Sequence, residues 1–396
     1  MSTVRLPERG RRCFDQLPAT IERLLTGATA GTPLDEPLLA ERFARVALVY
    51  LDAFGWTFLE RQQNHSLVAR ARADGLVAQL TSQFPSTTTA HVTTIHSGLP
   101  VAEHGLYEWH LLEPTLNRVI TPLLFSFAGD GRRDTLARVL APEAVYPSAS
   151  IYPRLAEHGV RSFVAQSEEF AFSSPNRVLL RGAEVLPFGP PEQGLAAAAS
   201  ALTATETAYA HVYLSEVDSL MHGVGPDGRA VDAAFAEALT LVERAPFPAG
   251  TLVLLTADHG MAPVDPARTV YVNEVWPELG EHLELGADGK PLAPAGSCRD
   301  LFLHVRDGEV AEVCEGLGNR LEGVADVVTA EALVAAGAFA EPSGQLLARL
   351  GNVVVLPHYG EAVFWHEPGR FVQDLHGQHG GLSPQEMEIP LLAWVT

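Results

Sequence analysis

Three apolar runs in this chain each lead into an aspartate. VALVYLD reaches Asp52, HVYLSEVD reaches Asp218, and TLVLLTADHG carries Asp258 with His259 directly behind it. Short runs rich in Val and Leu read as fully buried strands of a parallel sheet. In such sheets the carboxyl ends of the strands face the ligand crevice. Three carboxylates delivered there repel one another unless a cation sits among them. The expectation is metal-dependent chemistry.

The surrounding pattern fits that sheet. Strand 46–52 precedes a helix-like SLVARARADGLVAQL. Ile151 to His158 reads as a helix leading into SFVAQ, and Gln193 to Tyr209 as a helix feeding the run that ends at Asp218. Another helix, Val231 to Arg244, precedes the run before Asp258. Strand–helix alternation predicts a doubly wound, mainly parallel central sheet flanked by helices. Residues 1–45 read as a polar lead-in with one amphipathic helix around Ile21 to Leu25. After about residue 280 the character changes. A Gly/Pro loop at 286–297 is followed by RDLFLHV as a strand, VAEVCEGLGNRLEG as a helix, ADVVTAEALVAAG as strand or helix, and LGNVVVLP as a strand. The division expected is a core of 46–285 and 371–396, with 286–370 inserted as a small α+β cap.

Composition narrows the partners. The chain has 396 residues, 47% of them hydrophobic, enough for a substantial core. Its net charge of −21 disfavours nucleic-acid polymers and anionic membranes, which reward Lys and Arg. No run approaches the length of a membrane span or a signal peptide. Cys13, Cys298 and Cys314 are an odd number and lie too far apart for a metal knuckle. A cytoplasmic location is expected, and any metal must be held by nitrogen and oxygen. Nothing in the sequence sets the oligomeric state.

Asp218 and His222, four residues apart, grip one ion if the chain turns helical there; otherwise Asp218 is a helix cap. Asp258-His259-Gly260 offers two more ligands at a turn. The row Phe84-Pro85-Ser86-Thr87-Thr88-Thr89-Ala90-His91 places hydroxyls before a helical run. They serve either as caps or as a nucleophile at a helix N-terminus, where free amides favour phosphate. In Gly377-Gln378-His379-Gly380-Gly381, His379 is a further candidate ligand, with His376 as its rival.

Taken in order, Asp52, FPSTTTAH, DSLMHGVGP, TADHGM and QHGGLSPQEMEIPLL resemble the alkaline phosphatase superfamily, in its type I phosphodiesterase/nucleotide pyrophosphatase branch. The resemblance covers most of 46–265 and then 376–396. It implies an alkaline phosphatase-like fold and two metal sites. Asp52, Thr88, Asp258 and His259 would surround one ion, and Asp218, His222 and His379 the other. Two Zn²⁺ are implied, with Mn²⁺ as the alternative. Thr88 takes the nucleophile slot, forming a phosphothreonine intermediate, and Ser86, Thr87 and Thr89 become structural. His91, His96 and His104 read as packing residues. The substrate implied is a small phosphate ester. A diester is preferred because Phe84 to His91 contains no Arg or Lys, unless a distant residue such as Arg118 folds in.

Two departures from the branch pattern stand out. Thr89 replaces the aromatic that stacks on a nucleotide base, and the phosphate-contacting Asn falls on Trp109 when counted without gaps. Either phosphate is held differently or the alignment slips near Tyr107 to His110. A core position is the ordinary reading of Trp109, and a wall for the leaving group the functional one. The rivals are a phosphomonoesterase or phosphonoacetate hydrolase on the same scaffold, and a metal-stabilised binding protein without catalysis. A sulfatase lacks support without Cys-x-Pro-x-Arg, and a phosphoglycerate mutase would use Ser.

Overall fold

The computed structural model describes residues 4–396, so the first three residues of the lead-in lie outside it. Its centre is a seven-stranded sheet. In chain order the strands are β1 (Arg45–Leu51), β2 (Leu76–Thr81), β3 (Arg161–Ser167), β4 (Glu184–Phe188), β5 (Ala208–Leu214) and β6 (Thr251–Thr256), followed near the C-terminus by Glu388–Val395. β1 lies between β5 and β6 and is parallel to both, with Leu51 opposite Leu214 and Tyr50 opposite Thr256. Every residue of β5 and β6 is buried, as continuous apolar runs require. The Glu388–Val395 strand runs antiparallel between β6 and β2, making the sheet mixed at that edge.

Helices form two groups. Leu17–Thr26 (α1), Thr88–Ser97 (α3) and Ile151–Glu157 (α4) touch one another, and Arg229–Arg244 (α7) touches Ser66–Asp74 (α2) and Pro191–Thr203 (α5). The amphipathic helix expected in the lead-in is α1, and it is not peripheral. Leu17, Ile21, Leu24 and Leu25 are buried in the central hydrophobic cluster, so the helix is part of the core.

Two local expectations change. The helix predicted through Ser66 to Leu80 stops at Asp74 and the chain becomes β2. Gly75 marks the break: a Cβ there would lie 2.1 Å from the Ala393 carbonyl oxygen. Asp218 is not at a strand end. β5 stops at Leu214, and Asp218 occupies the first turn of Glu216–Val224 (α6). Two acidic residues in that turn complement the helix dipole.

Within 286–370 the chain builds a second, four-stranded antiparallel sheet. Its strands are Ala295–Gly296 (β7), Leu301–Leu303 (β8), Ala325–Thr329 (β9) and Val353–Pro357 (β10), in the order β7-β8-β10-β9. ADVVTAEALVAAG resolves into both states: β9, then a helix at Ala330–Ala335 capped by Thr329, whose Oγ1 accepts from the Ala332 amide at 3.1 Å. Strand alternation gives the sheet two allegiances. Leu301, Leu303, Val353 and Val355 join a separate cluster with Val313 and Leu317, whereas Phe302 and Val354 join the central one. That separate cluster also takes in Val272, Trp276 and Leu283, so it begins before residue 286. Phe302 packs against Phe84 and Tyr107, which flank the Ser/Thr segment.

A buried ion pair ties this sheet to the C-terminal loop. Arg299, 1% exposed, donates from Nε and Nη2 to Glu386 at 3.0 and 2.9 Å, and from Nη1 to the His358 carbonyl at 2.8 Å. Glu386 in turn accepts from the Gly381 amide and the Ser383 hydroxyl. Arg299→Ala strands a buried carboxylate, and a loss of about 3–5 kcal/mol is expected. Chemical denaturation measures it; a midpoint close to wild type would show that the pair carries no such load.

Candidate metal and nucleophile site

The carboxyl edge of the parallel strands collects Asp52, Asp258 and, from the first turn of α6, Asp218. All three are buried. Among the described residues no Arg or Lys pairs with them, and their basic neighbours are histidines: His259 Nε2 is 3.5 Å from Asp52 Oδ1 and 3.3 Å from Asp258 Oδ2, and His222 Nε2 is 3.5 Å from Asp218 Oδ2. Burial, with the neighbouring Asp258 and Asp218 charges, pushes the Asp52 carboxyl well above the carboxylate range. Burial raises Asp258 also, and holds Asp218 up at about 6, with His222 opposing the rise.

The hydrogen bonds leave at least one buried oxygen of each acid without a partner. Asp258 Oδ1 accepts from the Ala53 and His259 amides at 3.2 and 3.0 Å, and Oδ2 accepts from none. Asp52 Oδ2 accepts from the Tyr213 hydroxyl, leaving Oδ1, and Asp218 Oδ1 is likewise free. Buried oxygens left open in this way suit a cation.

The histidines agree. His259 Nδ1 donates to the Gly260 carbonyl at 2.8 Å, His222 Nδ1 to Gly377 at 2.8 Å, and His379 Nδ1 to Ser86 at 3.0 Å. A carbonyl only accepts, so each Nδ1 carries a proton and Nε2 is the ring nitrogen turned inward, free to offer its lone pair to a metal. Burial holds His259 and His379 neutral, well below the usual imidazole range. Their rings stack at 3.5 Å, and His379 lies 5.3 Å from His222. Ligand atoms of Asp52, Asp258 and His259 gather within 4.8 Å of one another, and so do those of Asp218, His259 and His379. His259 is common to both groups. These donors fit divalent ions of the Zn²⁺ type. His376 is exposed.

Thr88 begins α3, and its hydroxyl lies 3.1 Å from His259 Nε2, the group it donates to. Its neighbours are committed elsewhere. Ser86 Oγ donates to Gly381 and Thr87 Oγ1 to the Tyr107 carbonyl, each at 2.8 Å. His91, His96 and His104 are buried and bonded to Ser82, Tyr152 and Thr94 respectively.

These residues open onto a cavity of about 590 Å³. Trp109 lines it at 41% exposure, which overturns the core reading of that residue. Arg118 is not in this wall; its guanidinium lies over Phe127 at 4.3 Å. The cavity's arginines are Arg133 and Arg370. Sequence reasoning also missed Tyr213 and the wall residue Glu108. The period-2 position of Tyr213 in its strand was a usable signal; Glu108 had none. Burial lifts Glu108 to about 7 and, with Glu108 beside it, Asp300 well above the carboxylate range.

A sequence model of the type I phosphodiesterase / nucleotide pyrophosphatase family matches residues 46–382. The match runs through 286–370, which the motif resemblance had left outside. No curated protein matches the sequence. Among solved structures, murine ectonucleotide pyrophosphatase / phosphodiesterase 5, as an inactive form in complex with AMP, is similar at TM-score 0.66 and 18% identity, over 88% of this chain and 87% of that one. The human counterpart is similar at TM-score 0.66 and 17% identity, over 88% and 87%. Phosphonoacetate hydrolase from Sinorhizobium meliloti 1021, in complex with phosphonoformate, is similar at TM-score 0.62 and 18% identity, over 88% and 89%. These likenesses establish the alkaline phosphatase-like fold.

Burial raises all three carboxyls, so a metal taken up by them would expel protons, more of them at the lower pH. Calorimetry of Zn²⁺ addition to metal-free protein in buffers of different ionisation enthalpy is expected to show more protons released at pH 6 than at pH 8. Equal release at the two values would contradict the carboxylate assignment.

Proposed function

The chain belongs to the type I phosphodiesterase/nucleotide pyrophosphatase family, and from that premise we propose that it is a phosphodiesterase with Thr88 as nucleophile. Its members are metal-dependent phosphoester hydrolases, and this chain is one. The observation that carries the finer reading is the Thr88 hydroxyl at the helix N-terminus, 3.1 Å from His259 Nε2, beside three buried carboxylates with open oxygens.

In this reading Asp52, Thr88, Asp258 and His259 hold one ion, and Asp218, His222 and His379 the other. Two Zn²⁺, with Mn²⁺ as the alternative, would supply the Lewis acidity that favours the Thr88 alkoxide and stabilises the departing oxygen. Thr88 Oγ1 bonds to phosphorus as the ester bond to the alcohol breaks. Water then attacks the phosphothreonine, releasing the remaining phosphate ester and restoring the hydroxyl. The Nδ1 bonds of the three histidines fix their rings for this, and the free amides of α3 face the phosphoryl oxygens.

A diester is favoured because the segment around the nucleophile, Phe84 to His91, contains no Arg or Lys to hold a dianion. The phosphonoacetate hydrolase likeness keeps that alternative on the same scaffold as second choice. No helix among the described residues is long and apolar enough to cross a membrane. The three cysteines are unpaired, which supports a reducing cytoplasm as the place of action.

Thr88→Ala is expected to abolish turnover with metal content, read by elemental analysis, nearly intact. Full activity in that variant would move the nucleophile elsewhere. The zinc-loaded enzyme should cleave bis-p-nitrophenyl phosphate faster than p-nitrophenyl phosphate; the reverse order would favour a monoesterase.

A further inference from the structure

We propose that Arg133 and Arg370 bind a second negatively charged group of the substrate, a carboxylate or phosphate carried on the ester group that stays on phosphorus when the alcohol leaves. This rests on the phosphodiesterase reading. A cavity of about 590 Å³ is far larger than a phosphoryl group needs. The remaining space is left for that ester group.

The wall around that space is apolar at Trp109, Leu124, Phe170 and Phe371, with the two guanidinium groups among them. Each is laid against a ring: Arg133 is 4.8 Å from the Phe170 centroid and Arg370 is 5.2 Å from that of Phe371. Ring contact orients the planar head and leaves its N–H edge for an anion. Both line the same cavity, and Arg370 Nη2 donates to the Ala128 carbonyl at 3.1 Å, five residues before Arg133.

Their present partners are exchangeable. Arg133 pairs with Glu169 at 2.9 Å, and Arg370 with Glu367 at 2.6 Å. Glu169 is 64% exposed and Glu367 39%, so water screens both pairs and they contribute little. Asp130, in the same wall, is already committed to Arg132 through two bonds of 3.0 Å. In a chain of net charge −21, two arginines facing the site favour a substrate with more than the single charge of a diester.

The test uses three p-nitrophenyl alkyl phosphates of one chain length, ending in a hydroxyl, a carboxylate or a phosphate, with the zinc-loaded enzyme. The carboxylate or the phosphate ester, or both, should exceed the hydroxyl ester by roughly tenfold or more in kcat/KM, carried by KM. Which of the two leads identifies the anion. In R133Q/R370Q the charged-over-uncharged ratio should fall towards one. Equal rates for the three esters in the wild-type enzyme, or an undiminished ratio in the variant, would overturn the proposal. Turnover of p-nitrophenyl phosphate without turnover of any of the three diesters would overturn the phosphodiesterase reading instead, and this proposal with it.

Discussion

Mutual repulsion among Asp52, Asp218 and Asp258 is the constraint around which this molecule is arranged. Each is buried, and none pairs with Arg or Lys. Burying one uncompensated carboxylate costs several kcal/mol, and grouping three raises the cost. The surrounding structure directs that electrostatic demand towards cations. Backbone amides and Tyr213 take one oxygen of Asp258 and of Asp52, and the carbonyls bonded to Nδ1 turn the histidine lone pairs into the same space. Strand order does the rest, because β1 lies between β5 and β6 and their carboxyl ends are adjacent.

The second sheet supports the site from behind. Phe302 presses on Phe84 and Tyr107, and Arg299 grips Glu386, which accepts from the Gly381 amide two residues beyond His379. Both segments that meet at the site, 84–88 and 379–381, are thus backed by residues from 286–370. That segment is integrated with the core on one face and keeps its own cluster on the other.

Much of the site was legible because its chemistry is local in sequence. The runs into Asp52 and Asp258 are long enough to mark buried strands, and the four-residue spacing of Asp218 and His222 is a helical repeat. Asp218 was misplaced at a strand end because an apolar run does not show where a strand yields to a helix; the acidic first turn decides that. The break at Gly75 was hidden for a related reason, since the close approach of Ala393 comes from the far end of the chain. The cavity's outer wall was the least legible part. Trp109, Arg133, Phe170 and Arg370 come from separate loops and share no pattern, so only the folded chain assembles them.

The spread of the site along the chain bears on how the protein acquires it. Its seven residues run from Asp52 to His379, and the sheet that unites them pairs Val46 with Tyr209 and Leu391 with Thr256. Contacts of such long range form late and slowly. Until they form, no cluster exists to capture an ion. Ions bound there would therefore act on the finished fold, slowing its unfolding without hastening its formation.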